Sequence, residues 1–310
     1  MGIRRFRIKL SRHAPKKVDV EIVGGLGNQL FIFFAAYSHA INFSKELILD
    51  FSEMSAAKSQ HLSNLDSFEF VREFQVSTTR KKNKIKRVIK AICRSNRVLR
   101  SVLFKLTGVY YSKGLGYDET LYQRDDIRRI CGYYQSFKYL ENLLNQNAFL
   151  NLDLCKKSEW FNQLFNVISL RKVIVVHVRR KDYHSAESTI GLLSRKYYEE
   201  AIFYLQTILP HRDIWVFSDD INEAKEILDG INSANISWIE PPHNSDPAES
   251  LVLMSYGEGL IMANSSFSWW AAATGNVEKK VVAPTPWFRN IKEPELLLPI
   301  NWHLVQSHWQ

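Results

Sequence analysis

From Lys172 onward, short apolar runs alternate with longer amphipathic ones. That alternation constrains the fold more than any other feature of the 310 residues. It predicts strands at Val173–Val178, Ile214–Phe217, Ser237–Ile239, Gly259–Ala263 and Val281–Ala283. Helices are predicted between them at Ser194–Leu209, Ile221–Leu228, Pro247–Tyr256 and Ser266–Ala273. Strands joined through helices lie parallel, with the helices covering both faces of the sheet. The other end of the chain starts the same way. Val18–Val23 reads as a strand, Gly24-Gly25-Leu26-Gly27-Asn28-Gln29 as a tight turn, Leu30–Phe43 as a buried helix and Glu46–Phe51 as the next strand. The expectation is two doubly wound α/β domains facing across a cleft that holds the ligand. The N-terminal one spans 1–165 and the C-terminal one 166–310. The aromatic tail from Trp287, with Trp302 and Trp309, is expected to return across them.

Cys93, Cys131 and Cys155 are odd in number and far apart, which argues against a disulfide framework or a zinc site and for a reducing compartment. No apolar run reaches the roughly 20 residues that span a bilayer. No apolar core follows the basic N-terminus as a secretory signal requires. A cytoplasmic protein is expected. Its net charge of +9 is concentrated: Arg80, Lys81, Lys82, Lys84, Lys86, Arg87, Lys90, Arg94, Arg97, Arg100 and Lys105 come with no acid among them. Ile85, Val88, Ile89, Ile92, Leu99, Val102, Leu103 and Leu106 recur through the same stretch at helical spacing. A basic amphipathic helix over about 80–106 suits the surface of an anionic membrane, and equally a helix docked on the core with a solvated basic face. Nucleic acid is disfavoured, because no stacking aromatics interleave the cations.

Chemistry concentrates where the first strand of the C-terminal half ends, at His177-Val178-Arg179-Arg180-Lys181-Asp182. Forked guanidiniums at the carboxyl end of a parallel strand suit a phosphate or diphosphate. Alternation along the strand sends His177 and Arg179 to one face and Arg180 to the other. One arginine can then meet the ligand while its neighbour orders the loop, with Asp182 as a candidate partner. Phe217-Ser218-Asp219-Asp220 ends the next strand. Its acids can accept hydrogen bonds from a base or ribose, and one of Ser218 or Asp219 can simply cap the helix that follows. Ala263-Asn264-Ser265-Ser266-Phe267-Ser268 leads into a helix whose N–H groups and serine hydroxyls form a second surface for anions, or a plain N-cap. Glu249 opens another helix, either complementing its dipole or serving as an active-site carboxylate. The N-terminal glycine turn is equally a structural turn and a phosphate loop, with Asn28 and Gln29 as extra donors. No pair of aspartates has the loop spacing that holds a metal on a sugar nucleotide, so no metal or cofactor is expected.

Four of these segments, in the chain order Gly24–Gln29, His177–Asp182, Phe217–Asp220 and Asn264–Trp270, resemble the bacterial α-1,2-fucosyltransferases of glycosyltransferase family 11. Lys181 departs from that pattern, standing where the family carries glycine. So does Ala271-Ala272-Ala273-Thr274, which replaces its Gly-Ala-Trp. The resemblance implies a GT-B fold and inverting transfer of L-fucose from GDP-β-L-fucose to the 2-hydroxyl of a terminal galactose. It implies that Arg179 binds the β-phosphate and His177 the nucleotide, that Asp219 meets the guanosine end, and that Ser265, Ser266 and Ser268 meet the phosphates. Asn28 and the backbone of Gly25 and Gly27 would approach the donor from the N-terminal side, and Asp182 and Glu249 are candidate bases. The implied setting is O-antigen or other surface polysaccharide synthesis on a lipid-linked glycan, at the inner face of the membrane. The alternatives are α-1,6 regiochemistry and a non-catalytic protein that binds glycan or polyanion.

Overall fold

The computed structural model describes residues 15–54, 65–78, 97–144, 152–231 and 235–310. These residues form two compact units. Among the described residues the first comprises 15–54, 72–78, 97–144 and 294–297, and the second 65–71, 152–231, 235–293 and 298–310.

In the first unit the elements run β1 (Lys17–Glu21), α1 (Leu26–Asn42), β2 (Glu46–Asp50), β3 (Gln75–Ser77), α2 (Arg97–Thr107), β4 (Val109–Tyr111), α3 (Thr120–Gln123), β5 (Arg129–Cys131) and α4 (Lys138–Leu144). The strands make one parallel sheet in the order β3-β2-β1-β5-β4. Val18 and Val20 of β1 are fully buried, as are Leu30, Ile32, Ala35 and Ala36 of α1. That apolar continuity is why α1 reads as a core helix. It begins at Leu26, four residues earlier than the sequence suggests, because Gly25 takes the extended N-cap conformation. Gly27, Asn28 and Gln29 therefore belong to its first turn and not to the loop. The turn itself rests on Gly24, whose φ of +83° favours glycine.

The second unit contains α5 (Glu159–Leu170), β6 (Val173–Val178), α6 (Lys181–His184), α7 (Arg195–Ile208), β7 (Asp213–Ser218), α8 (Ile221–Leu228), β8 (Ile236–Trp238), α9 (Pro247–Ser255), β9 (Gly259–Ile261), α10 (Ser266–Ala273), β10 (Lys280–Thr285) and β11 (His303–Gln306). Its sheet is parallel, in the order β11-β10-β9-β6-β7-β8. All six residues of β6 are buried, as expected for a central strand covered on both faces. Ile174, Val176 and Val178 point into a core shared with Tyr197, Ala201 and Leu205 of α7 and Ala224 of α8. Trp269 and Trp270 are fully buried core residues.

The described chain is already in the second unit at Leu152, ahead of the expected boundary at 165. Helix α5 is the reason, since its N-cap residue Ser158 is tied to Glu249 of α9. The tail contributes 294–297 to the first unit and 298–310, with β11, to the second. Of the basic stretch, 79–96 lie outside the described residues. The remainder is helix α2, on which Phe104 is buried while Val98, Leu99, Val102 and Leu106 are exposed. No helix among the described residues is long and apolar enough to cross a membrane.

Candidate active site

A doubly wound parallel sheet binds its ligand beyond the carboxyl ends of its strands, where the strand order reverses and adjacent loops splay apart. In the second unit the chain runs outward from β6 through β7 to β8, then returns to place β9 on the other side of β6. The reversal therefore lies between β6 and β9. Arg179 and Arg180 follow β6 and lead into α6, whose first turn holds Asp182, and the loop after β9 holds Asn264 and Ser265. The Tyr183 hydroxyl ties the two segments together by donating to the Asn264 carbonyl at 3.0 Å.

The adjacent arginines have separate fates. Arg180 is fully buried. Its guanidinium donates to the Leu193 carbonyl at 2.6 Å and to Gln310 at 3.2 Å, and lies 3.5 Å from Glu223. It orders the loop, as alternation along the strand requires for one of the pair, but its acid is Glu223 and not Asp182. Arg179 keeps its side chain 23% exposed. Its Nε donates to Asp182 at 2.9 Å and lies 3.2 Å from Asp219, and its Nη2 lies 2.7 Å from Asp182. The Tyr183 ring lies under the guanidinium at 5.6 Å. Arg179 is thus held from one edge, which leaves the Nη1 side as the edge that can meet a ligand.

Asp219 bridges β6 and β7. One carboxylate oxygen accepts the backbone N–H of Arg180 at 2.8 Å while the other faces Arg179. Burial pushes its carboxyl up, against the pull of the Arg179 charge. The helix after β7 is capped by Asp220, which accepts from Glu223 N–H at 3.1 Å, and not by Ser218 or Asp219. His177 is buried beside the Phe267 ring, at 5.8 Å between centroids. Burial, with the nearby charge of Arg179, pushes its pKa down to about 3, so the imidazole is neutral. Its Nδ1 has no hydrogen-bond partner among the described residues.

The three serines divide in the same way. Ser265 caps α10, accepting from Phe267 N–H at 3.3 Å. Ser268 is fully buried and its hydroxyl donates to the Ala263 and Ser265 carbonyls, each at 3.1 Å. It is spent on the backbone, which removes it as a phosphate ligand. Ser266 is partly exposed in the first turn and is the hydroxyl available there, beside the N–H groups of the helix start.

Glu249 is committed to the fold. Its carboxylate accepts the Ser158 backbone N–H at 2.5 Å and the Ser158 hydroxyl at 2.8 Å, and only 3% of the residue is exposed. Both oxygens hold the start of α5. Asp182 is the candidate carboxylate that keeps solvent access, with 47% of its side chain exposed.

The first unit has its own reversal point, between β1 and β5. The glycine turn follows β1 and Gly132 to Gln135 follow β5, so the two loops meet there. Gln135 donates to the Asn28 side chain at 2.7 Å, and Gln29 donates to the Gly24 carbonyl at 2.8 Å. Gln29 is therefore internal to the turn, whereas Asn28 remains partly exposed. Gln135 and Tyr183 are the residues that sequence reasoning missed. Tyr183 follows the arginine loop and could have been found there. Gln135 is 107 positions from its partner and carries no local signal.

Two parallel doubly wound sheets, with a partly exposed arginine and a helix N-terminus at one reversal point, match the GT-B class of glycosyltransferases. The chain belongs to glycosyl transferase family 11, whose model matches residues 125–304. Among its relatives are an α-1,2-colitosyltransferase of Escherichia coli, 29% identical over 87% of this chain and 92% of that protein. Another is the O-antigen biosynthesis glycosyltransferase WbnK of Escherichia coli, 28% identical over 89% and 96%. The fold is shared with the fucosyltransferase NodZ from Bradyrhizobium, with a TM-score of 0.50 and 15% identity over 83% of this chain and 93% of that one. It is also shared with Arabidopsis thaliana FUT1 in complex with GDP, with a TM-score of 0.50 and 14% identity over 88% and 71%.

Proposed function

We propose that this glycosyltransferase moves L-fucose from GDP-β-L-fucose to the 2-hydroxyl of a terminal galactose, with inversion, during O-antigen synthesis. The observation that supports this reading most is Arg179, held by two acids at the β6/β9 reversal point with one edge of its guanidinium open. A diphosphate leaving group is already stabilised and needs no strong acid. What accelerates its departure is preorganised positive charge where negative charge grows. Arg179 and the N–H groups at the start of α10, with the Ser266 hydroxyl, supply that charge, so the proposed reaction needs no divalent metal. The acceptor oxygen bonds to the anomeric carbon as the bond to the diphosphate breaks. Its proton passes to the Asp182 carboxylate. Neutral His177 packs beside the nucleotide without adding charge.

The colitosyltransferase relative favours a second donor, colitose activated by GDP, which has the same diphosphate to bind. Assays with both donors in EDTA, across a panel of galactosides with the product linkage read by NMR, decide between them. Fucose transfer to a 2-hydroxyl bears the first reading out. Transfer of colitose alone replaces the donor, a 1,6 linkage replaces the regiochemistry, and GDP binding without transfer makes the chain a binding protein.

The acceptor is proposed to be lipid-linked, with α2 resting on anionic lipid. Lys105 and the exposed Val98, Val102 and Leu106 of that helix support this. Equal co-sedimentation with neutral and anionic vesicles would exclude it.

A further inference from the structure

Arg179 meets two carboxylates of different character. Asp219 is anchored. Its side chain is 17% exposed, and it cannot turn away without stripping the backbone N–H of Arg180 of its acceptor. Asp182 has no such tie. It stands in the first turn of the four-residue helix α6 with 47% of its side chain exposed, and a single oxygen takes both contacts from the guanidinium. A rotation about its own side chain releases it.

We propose that Asp182 is a displaceable counter-ion. When the donor binds, its diphosphate takes over the Nε/Nη2 edge of Arg179 that Asp182 holds, while Asp219 stays beside Nε as the fixed counter-charge. A guanidinium offers two parallel N–H bonds along one edge, and phosphate oxygens accept both. With Asp182 in place the Nε/Nη2 edge is taken, and only the Nη1/Nη2 edge is open to a ligand. The exchange therefore gives the diphosphate the second edge of the guanidinium and frees the Asp182 carboxylate. This inference rests on the reading of Arg179 as the diphosphate ligand. It adds that the protein carries its own competitor for that ligand.

The sign of one substitution tests it. GDP and guanosine are titrated calorimetrically into the full chain as wild type, Asp182→Asn and Asp219→Asn. Removing an exposed internal anion should tighten GDP binding about threefold in Asp182→Asn, the size expected of a partly solvated ion pair. Guanosine, which has no phosphate, should bind this variant as it binds the wild type. Asp219→Asn should show no gain. If Asp182→Asn binds GDP as the wild type does or more weakly, Asp182 only orients Arg179 and the exchange is wrong. A wild-type chain that binds no GDP defeats the donor reading itself, and the exchange with it. Asp182→Asn is nearly isosteric at an exposed position, and an unchanged melting curve establishes that the comparison is between folded proteins.

Discussion

Arg179 and Arg180 are chemically identical neighbours separated by burial alone. Truncating the exposed one removes charge from the site and little else. Arg179→Ala should therefore cost about 100-fold or more in turnover, as loss of a preorganised oxyanion ligand does, with an unchanged circular dichroism spectrum. Near-wild-type turnover in that variant would remove Arg179 from the mechanism. Truncating the buried one leaves Glu223 without its guanidinium and the Leu193 carbonyl without its donor. Arg180→Met should lower stability by about 1–3 kcal/mol, mainly through the buried Leu193 carbonyl left without its donor, since the partly exposed Glu223 keeps His184. Thermal melts distinguish this fall in stability from the loss of turnover expected at Arg179.

At the scale of elements, the boundaries that caps and burial jointly determine are those the sequence shows best. Val173–Val178, Ile221–Leu228 and Ser266–Ala273 begin and end in the structure where the apolar pattern predicts. In each case a run of one period is followed by a change of period or by a capping residue. The same local logic misplaces Glu249. In a first turn after Asp246-Pro247 it looks like an acid available to the helix dipole or to a substrate. Its two oxygens instead close the N-terminus of α5, which the chain reaches 91 residues earlier. Glu249→Ala should therefore destabilise the second unit by about 1–3 kcal/mol through a lost cap and an orphaned N–H, with KM for the donor unchanged. A loss of turnover in folded Glu249→Ala protein would restore it as a catalytic candidate. Lys279 does similar work at the other ends of the helices. Its Nζ donates to the Ser255, Ala271 and Thr274 carbonyls, at the C-terminal ends of α9 and α10. Lys279→Met should lower the melting temperature by several degrees.

Over the whole molecule, each unit buries a histidine in its neutral form. His39 of α1 is pushed down to about 4 by burial, with its Nδ1 bonded to the Leu121 carbonyl at 2.6 Å. His177 is pushed down to about 3 by burial and by Arg179. In the unfolded chain both titrate near 6.5. Below that pH the unfolded state takes up protons that the folded state refuses, so stability falls as the solution is acidified. The loss begins near pH 6.5 and runs to about pH 4 for His39 and about pH 3 for His177. Each histidine contributes about 1.4 kcal/mol per pH unit within its window. Melting temperatures measured from pH 7 down to pH 4 should drop through this range, and His39→Gln should flatten the drop. A wild-type profile that is level between pH 6.5 and 4.5 would contradict the burial of both rings as neutral groups.

The sequence by itself determined the alternation of strand and helix, and hence two parallel sheets. It also placed the candidate residues at the ends of β1, β6, β7 and β9, because periodicity, glycine turns and capping residues act within a few positions of themselves. Strand alternation even required that Arg179 and Arg180 part company. Which of them would be buried was a tertiary decision. It depended on Leu193, Glu223 and Gln310 converging from distant parts of the chain to satisfy one guanidinium in the core. The same holds for the carboxylates. Asp182, Asp219 and Glu249 are equal as sequence, and only their partners in space make the first a mobile counter-ion, the second an anchor and the third a helix cap. A buried charge or polar group must find its partner wherever the fold brings one, and sequence distance carries no record of that meeting.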